Sequence, residues 1–366
     1  MAWRNRIEVS YGALRENLTA VLRAAQGRGV IAVIKADAYG LGLERCARIY
    51  HRSGAAALAV ACLSEADRVR DTVPDARIII LGSPLPEERQ AVVASRYEVS
   101  CSSMDEADEY ARLASARDPL GIHVNIDTGM GRLGAPREYA AELIARVREA
   151  PSLRLAGICT HYPMAVDSAI AAQQEAVFTG ILAAAGPVPA DCWIHLANSE
   201  GVLMRPPGQA THIRAGLLLT GIVPDGCPDP GVKPALRWLS SLNLVKRLPA
   251  GYGIGYNHLH HLERDSVVAI VPVGYADGYP LAASARGAQV LVAGSRCPIL
   301  GRVSMDYIIV DVTDCDPVPA PGEGVVLIGR QGAAGLTLNE LAGWAQTIPY
   351  DLLCGFRGRT EIVGVP

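Results

Sequence analysis

Short runs of consecutive apolar residues recur along the first two-thirds of the chain, with amphipathic stretches between them. The runs lie at 30–34 (VIAVI), 57–61 (ALAVA), 78–81 (IIIL), 97–101 (YEVSC), 120–126 (LGIHVNI), 154–159 (RLAGIC), 192–196 (CWIHL) and 212–219 (HIRAGLLL). Runs of this length read as buried strands. Helical patterns separate most of them, at 64–71, 86–94, 104–115, 137–149 and 168–185. A further helix begins near the N-terminus: Ser10 serves as its N-cap, and Leu14, Leu18, Val21, Leu22 and Ala25 follow at helical spacing. Strands alternating with helices predict an α/β fold with a parallel sheet. Eight such units over about 230 residues match the size of a closed (β/α)8 barrel. An open doubly wound sheet would want a G-x-G-x-x-G turn after the first strand, where KADAYGLG stands instead.

After Pro234 the texture changes. Strand-like runs appear at 241–247, 266–273, 288–293, 307–312 and 324–329, punctuated by Gly, Pro and Asp. One clear helical stretch, TLNELAGWAQ (337–346), interrupts them. The expectation is two domains: an N-terminal barrel over 1–234 and a mostly β domain over 235–366.

Composition narrows the function classes. No apolar run approaches the ~20 residues that span a bilayer, and the N-terminus has no apolar leader segment. The net charge of −3 is spread along the chain, without a basic stripe. Nucleic acid and membrane partners are therefore not expected. Nine cysteines without a C-x-x-C pair read as buried free thiols in a reducing cytoplasm, with no metal site. Of 34 basic residues only Lys35, Lys233 and Lys246 are lysine, so a lysine in an apolar setting calls for an explanation.

In a (β/α)8 barrel the active site lies at the C-terminal ends of the strands. Several reactive side chains fall there: Lys35 after the first run, Asp127 and Arg132 after the fifth, His161 and Tyr162 after the sixth, Asn198 and Ser199 after the seventh, and Arg214 within the eighth. Lys35 sits where desolvation frees a neutral amine nucleophile. It also reads as a snorkelling lysine, or as the amine of a cofactor-free aldolase. Ser199 and Gly216-Leu217 occupy the loops where such barrels often bind phosphate. Ser199 alone reads as an ordinary N-cap, and His161 and Arg214 each have a structural reading. Tyr256, in the Gly-rich loop AGYGIGYN, has little to distinguish it among 13 tyrosines.

The motifs VIKADAYGLG (33–42), DTGMGRLG (127–134), THY (160–162), ANSEG (197–201), IRAGLLLTG (213–221), GYADGYP (274–280), GRVSMD (301–306) and TIPYD (347–351) occur in the order seen in alanine racemases. The chain resembles that family over nearly its whole length. The resemblance implies pyridoxal 5'-phosphate (PLP) as cofactor, with Lys35 as its Schiff-base lysine. It implies that Tyr39, Tyr350, Asn198, Ser199, Gly216 and Leu217 surround the phosphate, and that Arg214, backed by His161, faces the pyridine nitrogen. Arg132 would meet the substrate carboxylate. Tyr256, Met305 and Asp306 would come from the partner subunit of a homodimer, and Tyr275 would crowd the substrate.

Racemisation needs two bases on opposite faces of a carbanion. The resemblance assigns Lys35 to the D-side and Tyr256 to the L-side, with alanine as the small amino-acid substrate and D-alanine for peptidoglycan as the product. Many members carry a lysine seven residues before the DTGMGR arginine that is carbamylated; here Asn125 stands there. Tyr307 replaces a common glutamine, and Asp37 the motif asparagine. Two alternatives stay open. One is a serine or broad-specificity racemase. The other is a non-catalytic PLP-binding protein, against which residues 235–366 argue.

Overall fold

The computed structural model describes residues 4–356 and 358–366. The chain divides into two compact units, Leu14–Lys233 and a second made of residues up to Ala13 with Pro234–Pro366. Strand β1 (Arg6–Ser10) leads into helix α1 (Tyr11–Ala24), where the Ser10 hydroxyl accepts the Ala13 N–H at 3.1 Å as the expected cap.

The first unit is a closed parallel barrel of eight strands: β2 (Gly29–Val33), β3 (Ala57–Val60), β4 (Ile78–Ile80), β5 (Glu98–Cys101), β6 (Leu120–Asp127), β7 (Leu153–Cys159), β8 (Trp193–His195) and β9 (His212–Ala215). Each pairs in parallel with the next, and β9 closes on β2 with Arg214 opposite Ile31. All eight strand runs expected from the sequence are present. Strands covered on both sides need apolar residues throughout, and β3, β4 and β5 are buried at every position. The five expected helices form within a residue or two of their predicted spans, at Leu63–Thr72, Pro86–Ala94, Met104–Leu113, Arg137–Glu149 and Ser168–Ala185.

The second unit is built on a sheet of β10 (Leu236–Ser241), β11 (Leu244–Leu248), β12 (Ser266–Val271), β13 (Gln289–Val292), β14 (Ser295–Leu300), β15 (Ile308–Asp311), β16 (Gly324–Gln331) and β17 (Glu361–Val365), together with β1. The order is β11-β12-β15-β14-β13-β16-β10-β1-β17. Here the expected boundary needs correcting. Strand β1 belongs to this unit and not to the barrel: Ile7 pairs with Trp238 in β10 and with Ile362 in β17. Ile7 and Val9 are fully buried, and Asn5 bridges the Trp238 indole N–H and the Thr360 hydroxyl.

The run 241–247 also resolves differently, as the end of β10, a link at Leu242-Asn243 and most of β11. Strands β14 and β17 escaped notice because half of β14 is exposed and no residue of β17 is fully buried, which thins the apolar pattern. The helix Leu338–Ala345 forms with a Thr337–Glu340 capping box, and a second, six-residue helix, Pro349–Cys354, follows it. Among the described residues no helix is long and apolar enough to cross a membrane.

The barrel interior contains polar side chains as well. His123 and His195 are 1% and 0% exposed. Burial holds both below the ordinary imidazole pKa, so both are neutral in the folded protein. In the unfolded chain they protonate below pH ~6.5. Their contribution to stability is therefore complete above that pH and is lost as pH falls through it. The expected loss is roughly 3 kcal/mol per pH unit for the two rings once the unfolded chain is protonated. Urea unfolding midpoints should drop steeply between pH 7 and pH 5; a flat profile would contradict neutral buried histidines.

Candidate active site

The first barrel strand ends at Val33, and Lys35 opens a turn of unusual backbone. Ala36, Asp37, Ala38 and Tyr39 have φ of 53°, 53°, 55° and 57°, and Gly40 follows at 74°. Left-handed geometry costs about 1–2 kcal/mol per non-glycine residue, so neighbours must impose it. Glu65 does so from the helix Leu63–Thr72: one carboxylate oxygen accepts the Ala36 N–H at 2.6 Å and the other the Ala61 N–H at 2.9 Å. Asp37 accepts the Leu43 N–H at 3.2 Å and pairs with Arg68 at 2.9 Å. The turn brings the buried Tyr39 ring against Gly216, where a Cβ would sit 2.1 Å from the Tyr39 hydroxyl oxygen. Only glycine permits that approach.

Ser199 and the loop after β9 meet next. Asn198, not Ser199, caps the short helix Ser199–Met204, its side-chain oxygen accepting the Gly201 N–H at 2.8 Å. The ordinary cap reading of Ser199 is therefore wrong. Its hydroxyl oxygen accepts the N–H groups of Gly216 at 3.2 Å and Leu218 at 3.3 Å. A hydroxyl and backbone amides thus converge where the loops after β8 and β9 meet, beside Leu217. This is a donor set suited to an anion.

Arg214, on β9, is 7% exposed. Its Nη1 donates to His195 Nδ1 and to the His195 carbonyl, both at 2.6 Å. Its Nη2 donates to the carbonyls of Thr160 at 2.7 Å and Leu196 at 3.1 Å, and to His161 Nδ1 at 3.2 Å. His161 is pushed down to about 3, first by burial and then by the charges of Arg214, Arg132 and Lys35. Its ring is neutral, and because Nδ1 accepts, its proton sits on Nε2.

The loop after β6 is folded around Asp127. This carboxylate accepts the N–H groups of Gly129, Met130 and Gly131 at 2.9 to 3.1 Å. Burial raises its pKa, but these amides more than offset it and leave it below the usual range. The loop leaves Arg132 exposed, without a hydrogen-bond or ion-pair partner among the described residues. Asn125 accepts the Cys159 thiol at 3.7 Å. Thr128 and Thr160 share a hydrogen bond of 2.8 Å, tying the loops after β6 and β7 together.

The remaining candidates lie in the β unit. Tyr256 is 67% exposed on a loop where Gly255, Asn257 and His258 have positive φ. Tyr275 and Met305 lie on adjoining loops, since the Tyr275 N–H bonds the Ser304 carbonyl and the Ala276 N–H that of Met305, both at 3.1 Å. Gly274 makes this possible: a Cβ there would lie 2.3 Å from both carbonyl oxygens. Asp306 pairs with Arg359 at 2.8 Å, and Arg359 reaches Asp277 at 3.2 Å. Tyr350 follows Pro349 at the start of the last helix.

The structure thus brings Lys35, Tyr39, Arg132, His161, Asn198, Ser199, Arg214, Gly216 and Leu217 to one barrel rim, and places Tyr256, Tyr275, Met305, Asp306 and Tyr350 in the other unit. Sequence reasoning missed the supporting side chains Glu65, Thr160 and His195. Thr160 lies within the THY motif, but neither it nor Glu65 nor His195 carries a spacing that assigns it a role; only the fold places them beside the rim.

Comparison with known proteins identifies the family and the fold. The family model of the alanine racemase N-terminal domain matches residues 9–224, and that of the C-terminal domain matches 235–363. The alanine racemase of Symbiobacterium thermophilum is 35% identical over 96% of this chain and 94% of its own. The crystal structure of alanine racemase from D-cycloserine-producing Streptomyces lavendulae superposes with a TM-score of 0.92 at 31% identity, covering 100% of this chain and 98% of that one. The alanine racemase of Bartonella henselae, solved with covalently bound pyridoxal phosphate, has a TM-score of 0.90 at 25% identity, over 99% of this chain and 100% of that one. The chain belongs to the alanine racemase family.

Proposed function

We propose that this enzyme interconverts L-alanine and D-alanine with PLP held at Lys35, and that D-alanine for peptidoglycan is its product. The observation that carries the reading is the barrel rim itself: an amine at a strand end, a donor set for an anion, and a buried guanidinium between them. The residues present fit the cofactor. The Ser199 hydroxyl and the amides beside Gly216 suit a phosphate, with Tyr39, Asn198, Leu217 and Tyr350 around it. Arg214 offers its Nε–H, which none of the bonds above uses, to a ring nitrogen, and Lys35 offers an amine to an aldehyde carbon. When bound, PLP supplies the sink for the electron pair released as the substrate Cα–H bond breaks.

The chain's own residues then divide the work. Lys35, its amine freed once the substrate amine has taken its place at the cofactor, would take the Cα proton of D-alanine at Nζ, or return one to that face. Tyr256, supplied by a second copy of the chain, does the same at its phenol oxygen on the L face. A phenol near pKa 10 is a weak base at neutral pH, so its anion needs support. The Nε2–H of His161 and the fixed charge of Arg214 behind it provide that support. Arg214 has only donors, so it would leave a ring nitrogen opposite it unprotonated. Arg132, unpartnered on the rim, receives the substrate carboxylate, while Tyr275, Met305 and Asp306 bound the substrate methyl. Tyr256 lies on an exposed loop of the other unit, which supports a homodimer with shared sites. Six buried cysteines as free thiols support a cytoplasmic setting.

The purified protein should be yellow, and Lys35→Ala should lose the visible absorption together with ~10²–10⁴-fold or more of the activity; an unchanged spectrum sinks the assignment. Tyr256→Phe should slow α-proton exchange of L-alanine by ~10²–10⁴-fold and that of D-alanine far less. Equal losses reject the two-base roles. Mixing inactive Lys35→Ala and Tyr256→Phe proteins should restore activity through hybrid dimers, whereas no recovery after proven subunit exchange argues against shared sites. Loss of optical rotation over a panel of L-amino acids tests the substrate. Alanine should exceed serine and larger side chains by about 10–200-fold; a comparable rate on serine would make the enzyme a broader racemase.

A further inference from the structure

A chain of buried side chains runs through the barrel interior away from Arg214. Arg214 Nη1 contacts His195 Nδ1 at 2.6 Å, His195 Nε2 contacts His123 Nδ1 at 2.8 Å, and His123 Nε2 contacts Glu98 Oε2 at 2.9 Å. At the far end Glu98 also accepts from Arg77 Nε at 2.9 Å and Arg154 Nη2 at 2.6 Å. The guanidinium of Arg77 in turn lies 3.4 Å over the Trp193 ring. Two glycines make room for this chain. A Cβ on Gly157 would sit 2.2 Å from His123 Nδ1, and one on Gly121 would sit 2.8 Å from Glu98 Cγ.

The two ends leave one arrangement of protons. An arginine only donates and an ionised carboxylate only accepts. His195 Nδ1 must therefore accept from Arg214, which puts the proton of the neutral ring on Nε2. That N–H donates to His123 Nδ1, so His123 also carries its proton on Nε2 and gives it to Glu98. Turning either ring to its other tautomer sets two donors, or two acceptors, against each other. Burial pushes the Glu98 carboxyl up, but its bonds from His123 and Arg77 outweigh this and hold it at about 2, so the acceptor end persists at any working pH.

We propose that His123 and Glu98 are positioning residues of the racemase site: the Glu98 carboxylate locks both imidazoles in the Nε2–H tautomer and so keeps Arg214 fixed at the cofactor's ring nitrogen. The proposal rests on the reading of Arg214 given above. Among the described residues Arg214 touches no carboxylate, and Glu98, relayed through two neutral rings, is the anion at the other end of its hydrogen-bond chain. Satisfied polar networks of this kind confer rigidity that a single pair does not.

The test is ¹⁵N NMR of histidine-labelled protein, with and without PLP. Both buried rings should be neutral, protonated at Nε2 and unprotonated at Nδ1. A His195 ring protonated at Nδ1, or a charged His123, overturns the proposal without any variant being made. Glu98→Gln keeps the shape but presents a donor or an acceptor, so it releases the lock. Mixed tautomers should appear, the cofactor absorption and its pH response should shift, and kcat should fall about tenfold with KM little changed. Glu98→Asp should restore the wild-type tautomers and spectrum. Unaltered circular dichroism separates these effects from misfolding. Arg214→Leu separates the two readings. If it leaves the cofactor spectrum unchanged, the placement of Arg214 fails and the tautomer lock is judged by NMR alone. If it shifts the spectrum while Glu98→Gln does not, the relay is overturned.

Discussion

The site depends on a guanidinium buried at the mouth of the barrel. A charge removed from water is tolerated only if its donors are satisfied. Arg214 meets that demand with three carbonyls and two imidazole nitrogens, contributed by the C-terminal ends of β7 and β8 and the loops that follow them. The same bonds that make the arginine tolerable pin those strand ends in place. They also dictate the protonation of their neighbours: His161 and His195 present lone pairs toward Arg214 and are held neutral, so the positive charge stays on residues that do not exchange it at working pH.

Around this centre the chain accepts local strain where close approach requires it. The turn after Lys35 carries four successive left-handed residues, held by Glu65 from a neighbouring helix. Gly216 is bare so that Tyr39 can lie on it, and Gly157 is bare so that His123 fits beneath the rim. Each strained or stripped position makes room for, or is held by, a polar side chain at or beneath the candidate site. Consistency between levels breaks where function sits, as expected of a site built into an otherwise regular barrel.

The lysine-poor composition singled out Lys35 without reference to any relative, and its place after VIAVI put it on the rim. Tyr256 had no such signal. Its loop is rich in glycine because the backbone there adopts positive φ, which says nothing about a base; only the family motif drew it out. Asn125 shows the converse. The family pattern marks its position as unusual, and the structure gives it no more than a thiol contact.

The order of apolar runs by itself determined the barrel. Eight strands buried on both faces must read as continuous hydrophobic segments, and that signal is local. Motif spacing likewise settled which side chains fall at strand ends. Pairing partners were a different matter. Strand β1 joined β10 and β17 because Ile7 and Val9 are buried between chain segments more than 200 residues away, and no local pattern carries that information. The line from Arg214 through His195 and His123 to Glu98 was equally invisible. Successive members are 19, 72 and 25 positions apart, on four strands, and only closure of the barrel brings their side chains within hydrogen-bond reach.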